Sequence, residues 1–289
     1  MILQALFLAF FLLPSAAVAV YYLAWALARI AGLRDLQTLP QQARHRIMIV
    51  IPAHDEELTL TDTLQSCHQL DYPRRLYDLT VIADNCQDAT AEIARQMGAG
   101  CLERNEPDRP GKGFALAWAF QQLQSTLHDA FLVLDADCTL DSKSLRVLDA
   151  FLQSGARVLQ ANHRVTNPDA TPISFAAAVG RRLEYDLFFS PKSRCGLAVL
   201  LVGTGMLLHR SILQQFPWSS HSCTEDTEYT IRLAQQGIAV RFATNAWVEC
   251  RGAETPAQLR VQRHRWARGN LALSKSQAWR LLGTGLWHR

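Results

Sequence analysis

The chain has 289 residues, 49% of them hydrophobic and 19% charged, with a formal net charge of +3. That length allows one large domain or two small ones, and the composition suits a globular core with an added membranous segment. So small a charge, with no run of five Lys or Arg, argues against a nucleic-acid-binding surface.

Met1 to Ala28 carries no charge, and Gln4 and Ser15 are its clearly polar side chains. A helix of about 28 residues is roughly 42 Å long, enough to cross a ~30 Å hydrocarbon core. Tyr21, Tyr22 and Trp25 gather near its end as an interfacial belt would, and Arg29, Arg34, Arg44 and Arg46 follow with no Lys or Arg before them. The pattern predicts a single-pass anchor over residues 1–29 and a linker over 30–45, with the remainder on the cytoplasmic side of the cell membrane. A cleaved signal peptide is the weaker reading. The stretch lacks a basic start and runs on past Ala17-Val18-Ala19.

From Arg46 onward, short apolar runs alternate with helical patterns. Ile47 to Ile51, Leu79 to Ala83, a short piece near Gly100 to Glu103, Phe131 to Asp135 and Ala156 to Asn162 read as strands. The intervening stretches read as helices, which implies βαβ units and a mostly parallel sheet flanked by helices, an α/β fold. Beyond residue 165 the spacing predicts a helix over 172–189, a glycine-punctuated strand and loop over 197–208, helices near 225–236 and 256–276, and a strand near 240–243. The seven cysteines form no C-x-x-C pair, which argues against a zinc knuckle or a disulfide framework and predicts reduced thiols used as small apolar residues.

Ligands of open α/β sheets bind beyond the carboxyl ends of the strands, and polar residues gather there. Asp135 and Asp137 end an apolar strand one residue apart, so strand alternation puts both on one side, where two carboxylates can hold a hard divalent cation. Asp84 follows the second strand and reads equally as a functional acid or a helix cap. Asp88, just before Ala89-Thr90, reads as a helix-start acid. Arg109-Pro110-Gly111-Lys112-Gly113 lacks the spacing of a Walker A loop, yet places Lys112 at a helix start where it could meet a phosphate. No G-x-G-x-x-G follows a strand. Ser222-Cys223-Thr224-Glu225 fits a capping box, leaving Asp226 without a structural task and hence a candidate base, provided desolvation or neighbouring acids raise its proton affinity. Gln262, Arg265 and Trp266 share a helix face suited to a sugar or diphosphate. Arg260, Arg263, Arg265 and Arg268 suit a basic helix on an anionic bilayer.

Six stretches in this order, Ile51 to Glu56, Asp84 to Asp88, Gly111-Lys112-Gly113, Asp135-Ala136-Asp137, Thr224-Glu225-Asp226 and Gln262-x-x-Arg265-Trp266, resemble the membrane-associated family 2 glycosyltransferases. The resemblance implies a Rossmann-like GT-A fold over residues 46–270, leaving 271–289 as a basic, amphipathic, interfacial tail. It implies that Ala53, Glu56 and Asp84 hold the nucleotide, that Lys112 and Asp135 lie at the nucleotide-sugar, and that Asp137 with Asp135 holds Mg²⁺ or Mn²⁺. Asp226 would be the general base, and Gln262, Arg265 and Trp266 would close on the diphosphate and acceptor. The implied reaction is inverting transfer from a nucleotide-sugar to a lipid-linked or cell-surface saccharide, at a membrane and alongside other polysaccharide-assembly subunits, with no nucleic acid involved.

Two departures stand out. Ala83-Asp84 replaces the paired aspartates common in the family, and only 23 residues follow Trp266, too few for the membrane channel of polymer-extruding relatives. Two other readings compete. A sugar nucleotidyltransferase would need a glycine-rich, Arg-containing loop after the first strand, which Pro52 to Asp55 does not supply. An inactive nucleotide-sugar-binding subunit would not need Asp137 or Asp226.

Overall fold

The computed structural model describes residues 42–287, with side chains to 275, together with helical residues Leu12, Ser15, Ala16, 18–24 and Leu27. Among these no helix is long and apolar enough to cross a membrane, and most of the predicted anchor over 1–29 lies outside the described residues.

The first half builds as its hydrophobic pattern requires. Strands β1 (Ile47–Ala53), β2 (Tyr77–Asp84), β3 (Gly100–Arg104) and β4 (Ala130–Val133) alternate with helices α1 (Leu60–His68), α2 (Thr90–Gln96) and α3 (Lys112–Gln122). Ile47, Ile49 and Ile51 pack into one core layer while Met48 and Val50 pack into the opposite one. A strand covered on both faces needs an unbroken apolar run, which is what β1 has.

The second half comprises β5 (Cys138–Leu140), α4 (Ser144–Gln153), β6 (Val158–Val165), α5 (Pro172–Glu184), α6 (Ser190–Arg194), β7 (Met206–His209), α7 (Arg210–Gln215), α8 (Glu225–Gln235), β8 (Arg241–Cys250) and α9 (Pro256–Trp287). A π-turn over Tyr185–Phe189 joins α5 to α6, so the single helix expected over 172–189 divides. The eight strands form one sheet in the order β3-β2-β1-β4-β7-β6-β8-β5. β1 to β4 are parallel as predicted, but β7 runs antiparallel to both β4 and β6, and β5 antiparallel to β8. The sheet is therefore mixed, and the expectation of a mostly parallel sheet holds for its first half.

The pairing of β5 with β8 sets Cys138 opposite Cys250, with Cα atoms 4.5 Å apart and a disulfide joining them across 112 residues. This corrects the expectation of uniformly reduced cysteines. Spacing along the chain cannot reveal a bridge made by strands that meet only in the folded sheet.

Candidate active site

Two neighbouring strand ends form one side of the site. Ala53 closes β1 and is buried, and the next residues turn sharply, with Asp55 (φ 56°) and Asn85 (φ 55°) both left-handed. Aspartate and asparagine tolerate that conformation because their short side chains hydrogen-bond locally. Asp55 Oδ1 accepts from Gln87 N at 2.7 Å and Asn85 Oδ1 from Glu106 N at 2.7 Å, while the His54 ring donates to the Asp84 carbonyl at 2.7 Å. Glu56 is fixed at both ends: its N–H donates to Thr90 Oγ1 at 2.8 Å and its carboxylate accepts from Thr59 Oγ1 at 2.6 Å. Asp88 is structural, accepting from Thr90 N and Glu57 N at the start of α2.

Asp84 does not cap a helix. It is buried at the end of β2 and pairs with Arg104 Nη1 at 2.5 Å. The same guanidinium donates to the Arg109 carbonyl at 2.8 Å and to Glu106 at 3.0 Å, tying β2 to the loop that leads into α3. Sequence reasoning missed Arg104, since a lone arginine at the end of a short strand carries no pattern.

The centre of the site lies beyond β4. Asp135 and Asp137 do come together, but not by strand alternation. β4 ends at Val133, and Cys138 N donates back to the Asp135 carbonyl at 3.1 Å, so a tight turn brings the pair together. Ligand atoms of Asp135, Asp137 and Cys138 lie within 4.8 Å of one another, and the disulfide at Cys138 leaves the two carboxylates as the donors.

Lys112, first residue of α3, donates to Asp135 and to the Gly203 carbonyl at 2.8 Å. Gly203 has φ +86°, and a Cβ there would sit 3.5 Å from Asp226 Oδ2 and 3.8 Å from Lys112 Nζ, so both charged groups face this stretch of backbone. Behind it, fully buried Gln160 accepts from Val202 N at 2.9 Å and donates to the Thr204 carbonyl at 2.8 Å. His163 donates to that carbonyl at 3.0 Å, and Thr204 Oγ1 accepts from Asp135 N at 3.0 Å. The glycines at 203 and 205 were visible in the sequence. Their support on β6 was not, because it comes from a strand 40 residues away.

Glu225 and Asp226 enter on the first turn of α8, held close because the N-terminus of α3 abuts the preceding loop. A Cβ on Gly113 would lie 2.4 Å from the Ser220 carbonyl and 3.3 Å from Glu225 Cβ. Gly113→Ala should therefore separate α3 from that loop, lowering stability by about 1–3 kcal/mol, read as a lower Tm. It should also reduce activity by displacing Lys112.

Burial pushes the Asp226 and Glu225 carboxyls above the usual carboxylate range, with Lys112 pulling both partly back. Asp137 is accessible as a residue, yet desolvation at its carboxyl, with repulsion from Asp135 and Glu56, also raises it. Burial would lower the Lys112 ammonium, but Asp135, Glu225 and Asp226 outweigh that and hold it above its ordinary value. One cation among several acids leaves the cluster anionic, and adjacent hard-oxygen donors are the ligand type that Mg²⁺ and Mn²⁺ prefer. The residues fit such an ion.

The expected capping box at Ser222 does not form. Thr224 is the N-cap without a side-chain bond, and the hydroxyls of Ser220, Ser222 and Thr224 are buried without partners. Instead α9 presses on this corner, where a Cβ at Gly269 would come within 2.5 Å of Thr224 Cγ2. Of the predicted α9 residues, Arg265 lines a cavity against the start of α8, while Gln262 and Trp266 lie outside that lining. No hydrogen bond or ion pair among the described residues joins these three to the carboxylate cluster.

The family described as Glycosyltransferase like family 2 matches residues 45–269. The chain is 27% identical over 232 residues to Probable glycosyltransferase YdaM of Bacillus subtilis (strain 168), covering 78% of this chain and 55% of that protein. It is 26% identical over 271 residues to the Beta-monoglucosyldiacylglycerol synthase of Synechocystis, covering 86% of this chain and 56% of that one. The chain thus spans little more than half the length of these relatives. A mannosyltransferase of Pyrobaculum calidifontis, solved with GDP-Man and Mn²⁺, superposes with a TM-score of 0.71 at 18% identity, covering 92% of this chain and 74% of that one. Glucosyl-3-phosphoglycerate synthase of Mycobacterium tuberculosis, solved with Mn²⁺ and UDP, gives 0.54 at 22% identity over 78% of this chain and 80% of that chain. Both likenesses are of fold, the GT-A arrangement of a mixed α/β sheet.

Proposed function

The chain belongs to the glycosyltransferase like family 2, and from that premise we propose that it moves a sugar from a nucleotide-sugar to an acceptor hydroxyl with inversion at the anomeric carbon. The observation that carries this reading is the convergence of Lys112, Asp135, Glu225 and Asp226, from three separate parts of the chain, around the Gly203 backbone. Such a cluster matches a reaction in which an acceptor loses a proton while a diphosphate departs.

Asp226 is the base. Thr227 N donates to its Oδ1 at 2.6 Å, which fixes the carboxylate and leaves Oδ2 facing the Gly203 loop. As the acceptor oxygen bonds to the anomeric carbon, its proton passes to Asp226 and the bond to the diphosphate breaks, the electron pair leaving with the nucleoside diphosphate. Asp135 and Asp137 would hold Mg²⁺ or Mn²⁺, which when bound offsets charge on the diphosphate. Lys112, held at Asp135, adds positive charge on the same side. Ala53, Glu56 and Asp84 line the strand ends for the nucleotide, and Gln262, Arg265 and Trp266 frame the acceptor side.

The acceptor we assign is a lipid-linked or cell-surface saccharide, with the catalytic unit at the cytoplasmic face of the cell membrane. The uncharged stretch to Ala28 and the arginines after it support this placement. Tyr21 and Tyr22 pack on Phe188 at 5.4 and 5.5 Å between ring centroids, and Phe175, Val179 and Leu183 stand exposed at four-residue spacing along α5. Other polysaccharide-assembly subunits are further partners in this reading.

The base must be ionised to work, so kcat/KM should fall as pH drops through the Asp226 pKa. Because burial raises that pKa, the acid limb of the profile should lie above the ordinary carboxylate range. A pH–rate profile with its limb near 4, the value of a free aspartate, would count against Asp226.

A further inference from the structure

Between the start of α8 and the flank of α9 lies a cavity of about 890 Å³, within the range of small-molecule sites. From α9 it is lined by Arg260, His264, Arg265 and Arg268, with Val261, Ala272 and Leu273 as apolar wall, and from the α8 side by Ser222, Cys223 and Glu228. None of the three guanidiniums forms an ion pair or a hydrogen bond among the described residues. Glu228, the one carboxylate in the lining, is met by Ser222 N at 3.4 Å. The Ser222 hydroxyl is buried without a partner. Arg263, on the same helix, is outside the lining.

Three guanidiniums against one carboxylate leave two positive charges uncompensated, which matches a phosphate monoester above its second pKa of about 6. Guanidinium forks fit phosphate oxygens bidentately, and an unpartnered hydroxyl adds a donor. The wall of Val261, Ala272 and Leu273 suits a hydrocarbon stem rather than a second sugar. We infer that this cavity binds a lipid carrying a phosphate monoester on an apolar chain, its phosphate held by Arg260, Arg265 and Arg268. The inference goes beyond the glycosyl-transfer reading, and the phosphate site stands by itself as a binding claim.

The test is direct binding to the full chain by calorimetry, with dihexanoyl phosphatidic acid, inorganic phosphate and neutral dihexanoylglycerol as probes. Phosphatidic acid should bind at least about tenfold tighter than either of the others. Arg260→Gln/Arg268→Gln should weaken it by at least about tenfold, while Arg263→Gln, which removes the same kind of charge outside the cavity, should leave it unchanged. Ala272→Trp keeps every arginine but fills the apolar part, and should weaken phosphatidic acid while sparing inorganic phosphate. Equal weakening by Arg263→Gln would reduce the effect to general charge and overturn the site. Equal affinity for inorganic phosphate would overturn the apolar stem. Unchanged binding in both the double variant and Ala272→Trp would overturn the proposal. Nucleotide-sugar binding, measured on the same samples, reports separately on the glycosyl-transfer reading: its absence with phosphatidic acid still bound would defeat that reading and leave the phosphate site standing.

Discussion

Asp226→Asn should lower kcat by about 10²–10⁴-fold, the range a positioned general base contributes, while nucleotide-sugar still binds. Asparagine keeps the shape and can accept the Thr227 N–H, so the loss isolates proton transfer. The same variant should be more stable than the parent at neutral pH. A carboxyl whose pKa is higher in the folded than in the unfolded chain favours folding while protonated. That contribution is complete below the unfolded value and is lost as pH rises through the folded one. Burial raises Asp226 in this way, so at neutral pH its ionised form costs stability, and removing the charge recovers it. A higher Tm with lost turnover is the joint signature. Unchanged turnover would remove Asp226 from the mechanism.

Arg104→Ala should have the largest effect on stability. Both side chains of the pair are nearly out of solvent, at 2% exposure for Arg104 and 7% for Asp84. Deleting Arg104 leaves the buried Asp84 charge without its counter-ion, with Asn85 Nδ2 still donating to it at 3.1 Å, at a cost of about 3–5 kcal/mol. In a domain of this size that lowers Tm by on the order of 10 °C, measurable by thermal unfolding. The loop to Arg109 should also loosen, since Arg104 holds its carbonyl. The double variant Asp84→Asn/Arg104→Met leaves no unpaired buried charge and should regain much of the loss. If Asp84 serves the nucleotide, the double variant still binds nucleotide-sugar weakly. Recovery of binding along with stability would make Asp84 purely structural.

How far the sequence could be read depended on whether a signal was local. β1 announced itself because a run of five β-branched or apolar residues ended by Pro52 fits a strand buried on both faces. Lys112, Asp135 and Asp226 stood out as polar residues at element boundaries, and the fold brings them together with Glu225, which the sequence offered as one half of a capping box. Gln160, His163 and Arg104 were invisible. Each is a buried polar residue whose task is set by a partner 20 or more residues away, Thr204 for the first two and Asp84 for the third. The antiparallel entry of β7 and the Cys138–Cys250 pairing escaped for the same reason: register between distant strands is decided by packing. The turn at Asp135 to Cys138 is the reverse case, where the right pair of residues was identified through the wrong local geometry. The Ser222 capping box failed because α9 presses on that corner at Gly269, a tertiary contact that overrides a sound local pattern.

The most direct measurement is nucleoside diphosphate release by membranes containing the full chain, across a panel of nucleotide-sugars, with and without Mn²⁺, for the parent and for Asp137→Ala. The proposed chemistry predicts release from at least one donor, dependent on the divalent cation and lost in Asp137→Ala. Release that is indifferent to the cation and equal in Asp137→Ala, or no release from any donor, would contradict it.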